Sequence, residues 1–149
     1  MSSTKTKGAD RLLVDTSVLI EATDEARSAH MVARTFIERG ARLVLSAQVI
    51  REFLVVATRP VSANGLGMRL ADALDNVREF RRIIGLLPEE RPILPTLLSL
   101  LGDTPCQGKG IHDAHLVATA VAHRVRTIAT LNAGDFLAFA SRVSVVVPT

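Results

Sequence analysis

Short runs of uninterrupted apolar residues, separated by helical stretches, constrain this chain more than any other feature. Leu12-Leu13-Val14 is the first of them. A strand with one wet face alternates apolar and polar residues, whereas a run that is apolar throughout belongs to a strand covered on both faces, as in a parallel sheet. Further strands are predicted over Arg42–Leu45, Leu86–Pro88, Thr127–Thr130 and Val143–Val147. Helices are predicted over Val18–Thr23, over Ser28–Arg39 closed by Gly40, over Ser46–Thr58 capped by Ser46, and over Met68–Ile84. Two more are predicted over Pro92–Leu101 and Ile111–Arg124, with a helical turn or two over Gly134–Ala140. Val61–Gly67 and Gly102–Gly110 read as loops. Strand–helix alternation of this kind implies an α/β domain with helices on both faces of a parallel sheet.

The chain has 149 residues, enough for one domain with one core. Residues 1–10 are polar and are expected to form a flexible tail ahead of a domain over 11–149; they lack the hydrophobic region of a secretory signal. No apolar run reaches the roughly 18 residues that span a bilayer, so no membrane partner is expected and the predicted location is cytoplasmic. Cys106 is the single cysteine, which excludes an internal disulfide and a thiolate zinc site. The formal charge of +3 is carried mostly by arginine, whose fork suits phosphate oxygens. Trp and Tyr are absent and Phe is scarce, which argues against a module that grips single strands by aromatic stacking.

Four acids stand in unusual places. Asp15 follows the first strand, at the end where ligands bind in open α/β sheets. Thr16 and Ser17 behind it are expected to cap the next helix. Glu52 lies one turn from Val49 and Val56 on a helix that is apolar nearly all round. Asp113 opens a helix on the stripe of Leu116, Val117 and Ala120, just after Gly108-Lys109-Gly110. Asp135 and Asn132 follow the fourth strand. Each has an ordinary explanation: a turn, a cap, or for Glu52 a buried ion pair with arginine. If the strand order is 3-2-1-4-5, however, Asp15 and Asp135 become neighbours with Asp113 and Glu52 overhead. Crowded carboxylates repel and stay partly protonated without a cation. Mg²⁺ and Mn²⁺ favour such all-oxygen surroundings, and with arginines nearby this suggests phosphodiester hydrolysis. His112 and His115 flank Asp113 at zinc-like spacing, but no third nitrogen or sulfur ligand follows at a recognisable distance.

The ordered set Asp15-Thr16-Ser17, Glu52 within Ser46–Phe53, Asp113 opening Asp113–Ala120, and Thr130–Phe136 resembles the PIN domain family. Its size and lone-domain layout resemble the VapC-type toxin ribonucleases. The resemblance runs from Arg11 to the C-terminus and implies a three-layer α/β/α domain with a five-stranded parallel sheet, for which the order 3-2-1-4-5 is predicted. It also implies a Mg²⁺- or Mn²⁺-dependent endoribonuclease acting on RNA, often a homodimer, inhibited by an antitoxin. Asp15, Glu52, Asp113 and Asp135 would be the metal-site acids, with Thr16, Ser17, Thr130 and Asn132 supporting them. Many relatives carry basic residues where this chain has Leu131 and Gly134; Lys109 or His112 would supply that charge here. A PIN-like domain that binds RNA or protein without cutting it is the alternative. A receiver-type domain with Asp15 as phosphoacceptor fits less well, because the acidic pair and the lysine it needs are missing.

Apolar surface on the helices over 46–58 and 68–84, including Leu70, Ala73, Leu74, Val77 and Ile84, exceeds what one core-facing stripe uses. A homodimer through these helices is therefore expected, with an antitoxin segment over the adjacent groove directing a basic side chain at the acids.

Overall fold

The computed structural model describes residues 11–89 and 92–149; the expected N-terminal tail lies outside them. Five parallel strands form one sheet: β1 (Leu12–Val14), β2 (Leu43–Leu45), β3 (Gly85–Leu86), β4 (Thr127–Ala129) and β5 (Ser144–Val146). Their order is 3-2-1-4-5, as predicted. β1 is central, with Leu13 opposite Val44 on one side and Ile128 on the other. Leu13, Val14, Leu45 and Ile128 are fully buried, the two-sided covering that their apolar runs imply.

Six α-helices flank the sheet: α1 (Thr16–Thr23), α2 (His30–Arg39), α3 (Ala47–Thr58), α4 (Leu70–Ile83), α5 (Ile93–Asp103) and α6 (Lys109–Ala122). Short 3₁₀ segments cover Val61–Ala63 and Ala133–Phe139. α6 buries Ala114, Leu116, Val117, Ala118, Thr119 and Ala120, and its small residues let it lie close against its neighbours. The Phe53 and Phe80 rings meet edge to face, 5.4 Å between centroids, and lock α3 to α4.

Several boundaries differ from expectation. α1 begins at Thr16, two residues early, because the chain turns helical directly after Asp15. α2 begins at His30, since Asp24 holds the preceding residues in a turn through the backbone N–H groups of Ala26 and Arg27. Gly40 does not close α2 in a left-handed conformation: its φ is −67°. Glycine is needed there because a Cβ would lie 2.7 Å from the Phe36 carbonyl oxygen. β3 is shifted back from Leu86–Pro88; its ladder ends with Leu87 N–H on the Leu45 carbonyl, and Pro88 has no N–H to continue it. The stretch 102–110 is partly helical: α5 runs through Asp103 and α6 starts at Lys109, with Gly108 at φ 59° between them.

The apolar surface expected to form a dimer is largely used inside the fold. Ala73 and Ile84 are buried, and Leu74 and Val77 are half-buried, which leaves Leu70 and Ile83 exposed on α4 and Val55 on α3. No helix among the described residues is long and apolar enough to cross a membrane.

Candidate active site

β1 and β4 end side by side, tied by the Asp15 N–H on the Ala129 carbonyl at 2.8 Å. Asp15 Oδ2 accepts hydrogen bonds from Thr130 Oγ1 at 2.7 Å and Ser17 Oγ at 2.9 Å. Those hydroxyls in turn accept the N–H groups of Asn132 and Leu131. Each hydroxyl has one proton, and both protons go to Asp15, so the 3.2 Å approach of Ser17 Oγ to Thr130 Oγ1 is proximity within a laced pair of strand ends. Thr16 and Ser17 thus do not cap α1 through their side chains; they sit inside its first turn and serve the acids. Burial pushes the Asp15 carboxyl up and Glu52 adds repulsion, opposed by the hydrogen bonds from Thr130, Ser17 and the Thr16 backbone.

Among the described residues Glu52 does not pair with an arginine. Its Oε2 accepts from Thr16 Oγ1 at 3.1 Å and its Oε1 from Gln48 Nε2 at 2.8 Å, with His112 Nδ1 3.9 Å away. Gln48 is fully buried and all its polar capacity is used. Its amide N–H groups reach Glu52 and the His112 carbonyl, so its oxygen accepts from His115 Nδ1, which fixes that ring's tautomer. Burial and the nearby Arg51 push the His115 imidazole down. His112 and His115 therefore turn to different partners on α3.

Asp113 lies in the second turn of α6, since the helix starts at Lys109; it is no N-cap. Its carboxyl is pushed up to about 6, first by burial and then by Asp135, with Lys109 lowering it and Asp15 and Glu52 raising it further. Asp135 sits in the first turn of the 3₁₀ segment that Asn132 leads into, and pairs with Lys109 Nζ at 3.5 Å.

Asp15, Glu52, Asp113 and Asp135 all line one cavity of about 690 Å³, together with Thr16, Ser17, Asn132, Lys109 and His112. Thr130 is buried beneath it. Sequence reasoning missed Gln48, although a polar residue one turn before Glu52 on an apolar helix was the available signal. It also missed Arg27, Arg51 and Arg59, which line the same cavity. Among the described residues no three Asp, Glu, His or Cys side chains already converge on one point. The donors facing the shared volume nevertheless suit a hard divalent cation: carboxylates held from four elements, two of them with raised pKa values.

The sequence model of the PIN domain matches residues 12–140. No curated protein matches. Several solved structures share the fold. The sarcin-ricin loop cleaving toxin VapC20 of Mycobacterium tuberculosis is 16% identical, with a TM-score of 0.62 over 78% of this chain and 86% of that one. DNA-bound VapBC from Salmonella typhimurium is 13% identical, with a TM-score of 0.65 over 93% and 98%. FitAcB from Neisseria gonorrhoeae is 22% identical, with a TM-score of 0.58 over 90% and 95%.

Proposed function

The chain belongs to the PIN domain family, and on that premise we propose that it is a Mg²⁺- or Mn²⁺-dependent endoribonuclease, the toxin of a toxin–antitoxin pair. The observation that carries this reading is geometric: Asp15, Glu52, Asp113 and Asp135, brought from four elements, line one cavity that Arg27, Arg51 and Arg59 also line. Asp15, Asp113 and Asp135 would hold the cation, with Glu52 beside them. When bound, it would polarise the phosphate and acidify a water.

The protein's own groups divide the remaining work. Ser17 and Thr130 both address Oδ2 of Asp15 and fix the plane of its carboxylate. Thr16 and Gln48 hold Glu52 from either oxygen, where it can orient a water and take up its proton. Lys109 beside Asp135 brings positive charge for a phosphate oxygen, in place of the basic residues missing at Leu131 and Gly134. Because water attacks, the products should carry 5′-phosphate and 3′-hydroxyl ends. Incubating purified protein with RNA and Mn²⁺ and mapping the ends tests this; cyclic phosphate ends, or RNA bound but uncut, would count against it.

The toxin reading is supported by the likeness of this fold to the VapC20 toxin and to a toxin–antitoxin complex. The partner would be an antitoxin whose segment lies over the cavity and brings an arginine to the acids. A homodimer would draw on the apolar side chains that packing leaves exposed on α4, Leu70 and Ile83. Light scattering should give a dimer mass at micromolar concentration, increased when the product of the adjacent reading frame is co-expressed. A monomer mass under both conditions would contradict both partners.

A further inference from the structure

We infer that the groove along α3 seats the RNA backbone beside the scissile phosphate, with Arg51 and Arg59 each taking a phosphate. The inference rests on the nuclease reading and adds to it the path of the substrate.

Arg51, Val55 and Arg59 follow one another at four-residue steps, so they share one face of α3. All three line the cavity that holds the acids. Eight residues of helix rise by about 12 Å, so the two guanidinium groups are far enough apart to meet different phosphates of one strand. Arg51 stands beside Glu52 at the acidic end, and Arg59 stands at the far end.

What sets these two arginines apart is their place. Arg34, Arg69, Arg78, Arg82 and Arg142 are each paired with an acid, most of them three or four residues away on the same helix. Among the described residues neither Arg51 nor Arg59 has a carboxylate partner, and unlike Arg39, Arg81, Arg124 and Arg126, which have none either, both line the cavity of the acids. A guanidinium left unpaired on a cavity wall is a ready fork for phosphate oxygens.

Arg59 is also held in place. The carbonyls of Val56, Ala57 and Arg59 accept the N–H groups of Leu66, Met68 and Gly67, so the following loop folds back on the helix end. Gly65 permits this approach, because a Cβ there would lie 2.0 Å from the Arg59 carbonyl oxygen. The C-terminus of α3 is therefore tied down where it would otherwise fray, and the Arg59 side chain is presented from a fixed backbone.

Between the two arginines the wall is aliphatic. Val55 is 51% exposed, and Val56, Ile20 and Leu131 line the cavity around it. An apolar wall between phosphate sites suits an unstacked base, which a single strand or loop offers and a duplex does not. Aliphatic side chains read no hydrogen-bonding edge of a base, so the contact with this wall should be tolerant of sequence.

The test uses the full chain with Mn²⁺ and a short fluorescein-labelled single-stranded RNA of mixed sequence, read by cleavage kinetics and by anisotropy. Arg51→Gln and Arg59→Gln keep most of the side-chain stem. Each should weaken RNA binding and raise KM by about tenfold, with the smaller effect on kcat, and flatten the salt dependence of log Kd by about one unit or slightly less. Arg78→Gln, paired with Asp75 away from the cavity, should change neither. Melting curves of the variants confirm that each is folded. Unchanged KM, Kd and salt slope in the double variant would overturn the track while leaving the nuclease reading intact. If wild-type protein fails to cut, that reading fails by itself, and anisotropy still decides the arginines. Loss of antitoxin binding with RNA affinity unchanged would assign the groove to the protein partner and overturn the proposal.

Discussion

Freed of divalent cations, the wild-type protein should fall behind its Asp113→Asn variant in stability as pH rises from about 4 to about 6, and Mn²⁺ should reverse the order at neutral pH. The folded protein holds the Asp113 proton up to about 6, against the ordinary carboxylate value of 3.8. A group whose folded pKa is raised binds its proton more tightly in the native state, so stability is lost as pH climbs between the two values. Below that window Asp113 is neutral in both states and the variant gains nothing. Above it, wild type carries a charge that burial and Asp135 oppose, and the variant does not. Asp15, also pushed up, adds a loss of the same sign to both proteins. A cation that binds only the native site at a hundred times its Kd adds about 2.7 kcal/mol, or about 5–10 °C in Tm for a domain of this size. Removing Asp113 should forfeit most of that rise. Melting curves across pH, with chelator and then with Mn²⁺, read both effects. Parallel curves for the two proteins, indifferent to Mn²⁺, would contradict the site.

The sheet and the acid set were legible in the sequence because both depend on local pattern. Continuously apolar runs mark two-sided burial, and an acid directly after such a run must sit at a strand's carboxyl end. Asp15 follows from that alone, and Asp135 from lying in the short turn beyond the fourth strand. What was illegible depends on partners distant in the chain. Thr16 and Ser17 look like caps until Glu52 and Thr130 are brought to them across the fold. Asp113 looks like a cap until Gly108, in its left-handed conformation, lets α6 start four residues before it. Gln48 and His115 are 67 residues apart, and nothing local to either announces their contact. The dimer surface was overestimated for a similar reason: Phe53 and Phe80 join α3 to α4 within one chain, and that packing consumes apolar residues a helical pattern shows as spare.

If carboxylates from four elements act together on RNA through a bound cation, Asp15→Asn should stop cleavage without unfolding the protein. Asparagine keeps the shape of the side chain, and its carbonyl oxygen can still accept from Ser17 and Thr130, so the strand ends should stay laced. Circular dichroism and the melting temperature in chelator should match wild type, or exceed it, since a buried carboxyl in a crowded site has been removed. The charge that would hold the cation is gone. Losing a mere supporting partner of a metal site costs about 10–100-fold, so losing the ligand itself should lower Mn²⁺-dependent RNA cleavage by more than about a hundredfold. The expected result is a folded variant that no longer cuts RNA under conditions in which wild type does. A folded Asp15→Asn protein that cuts RNA at the wild-type rate would contradict it.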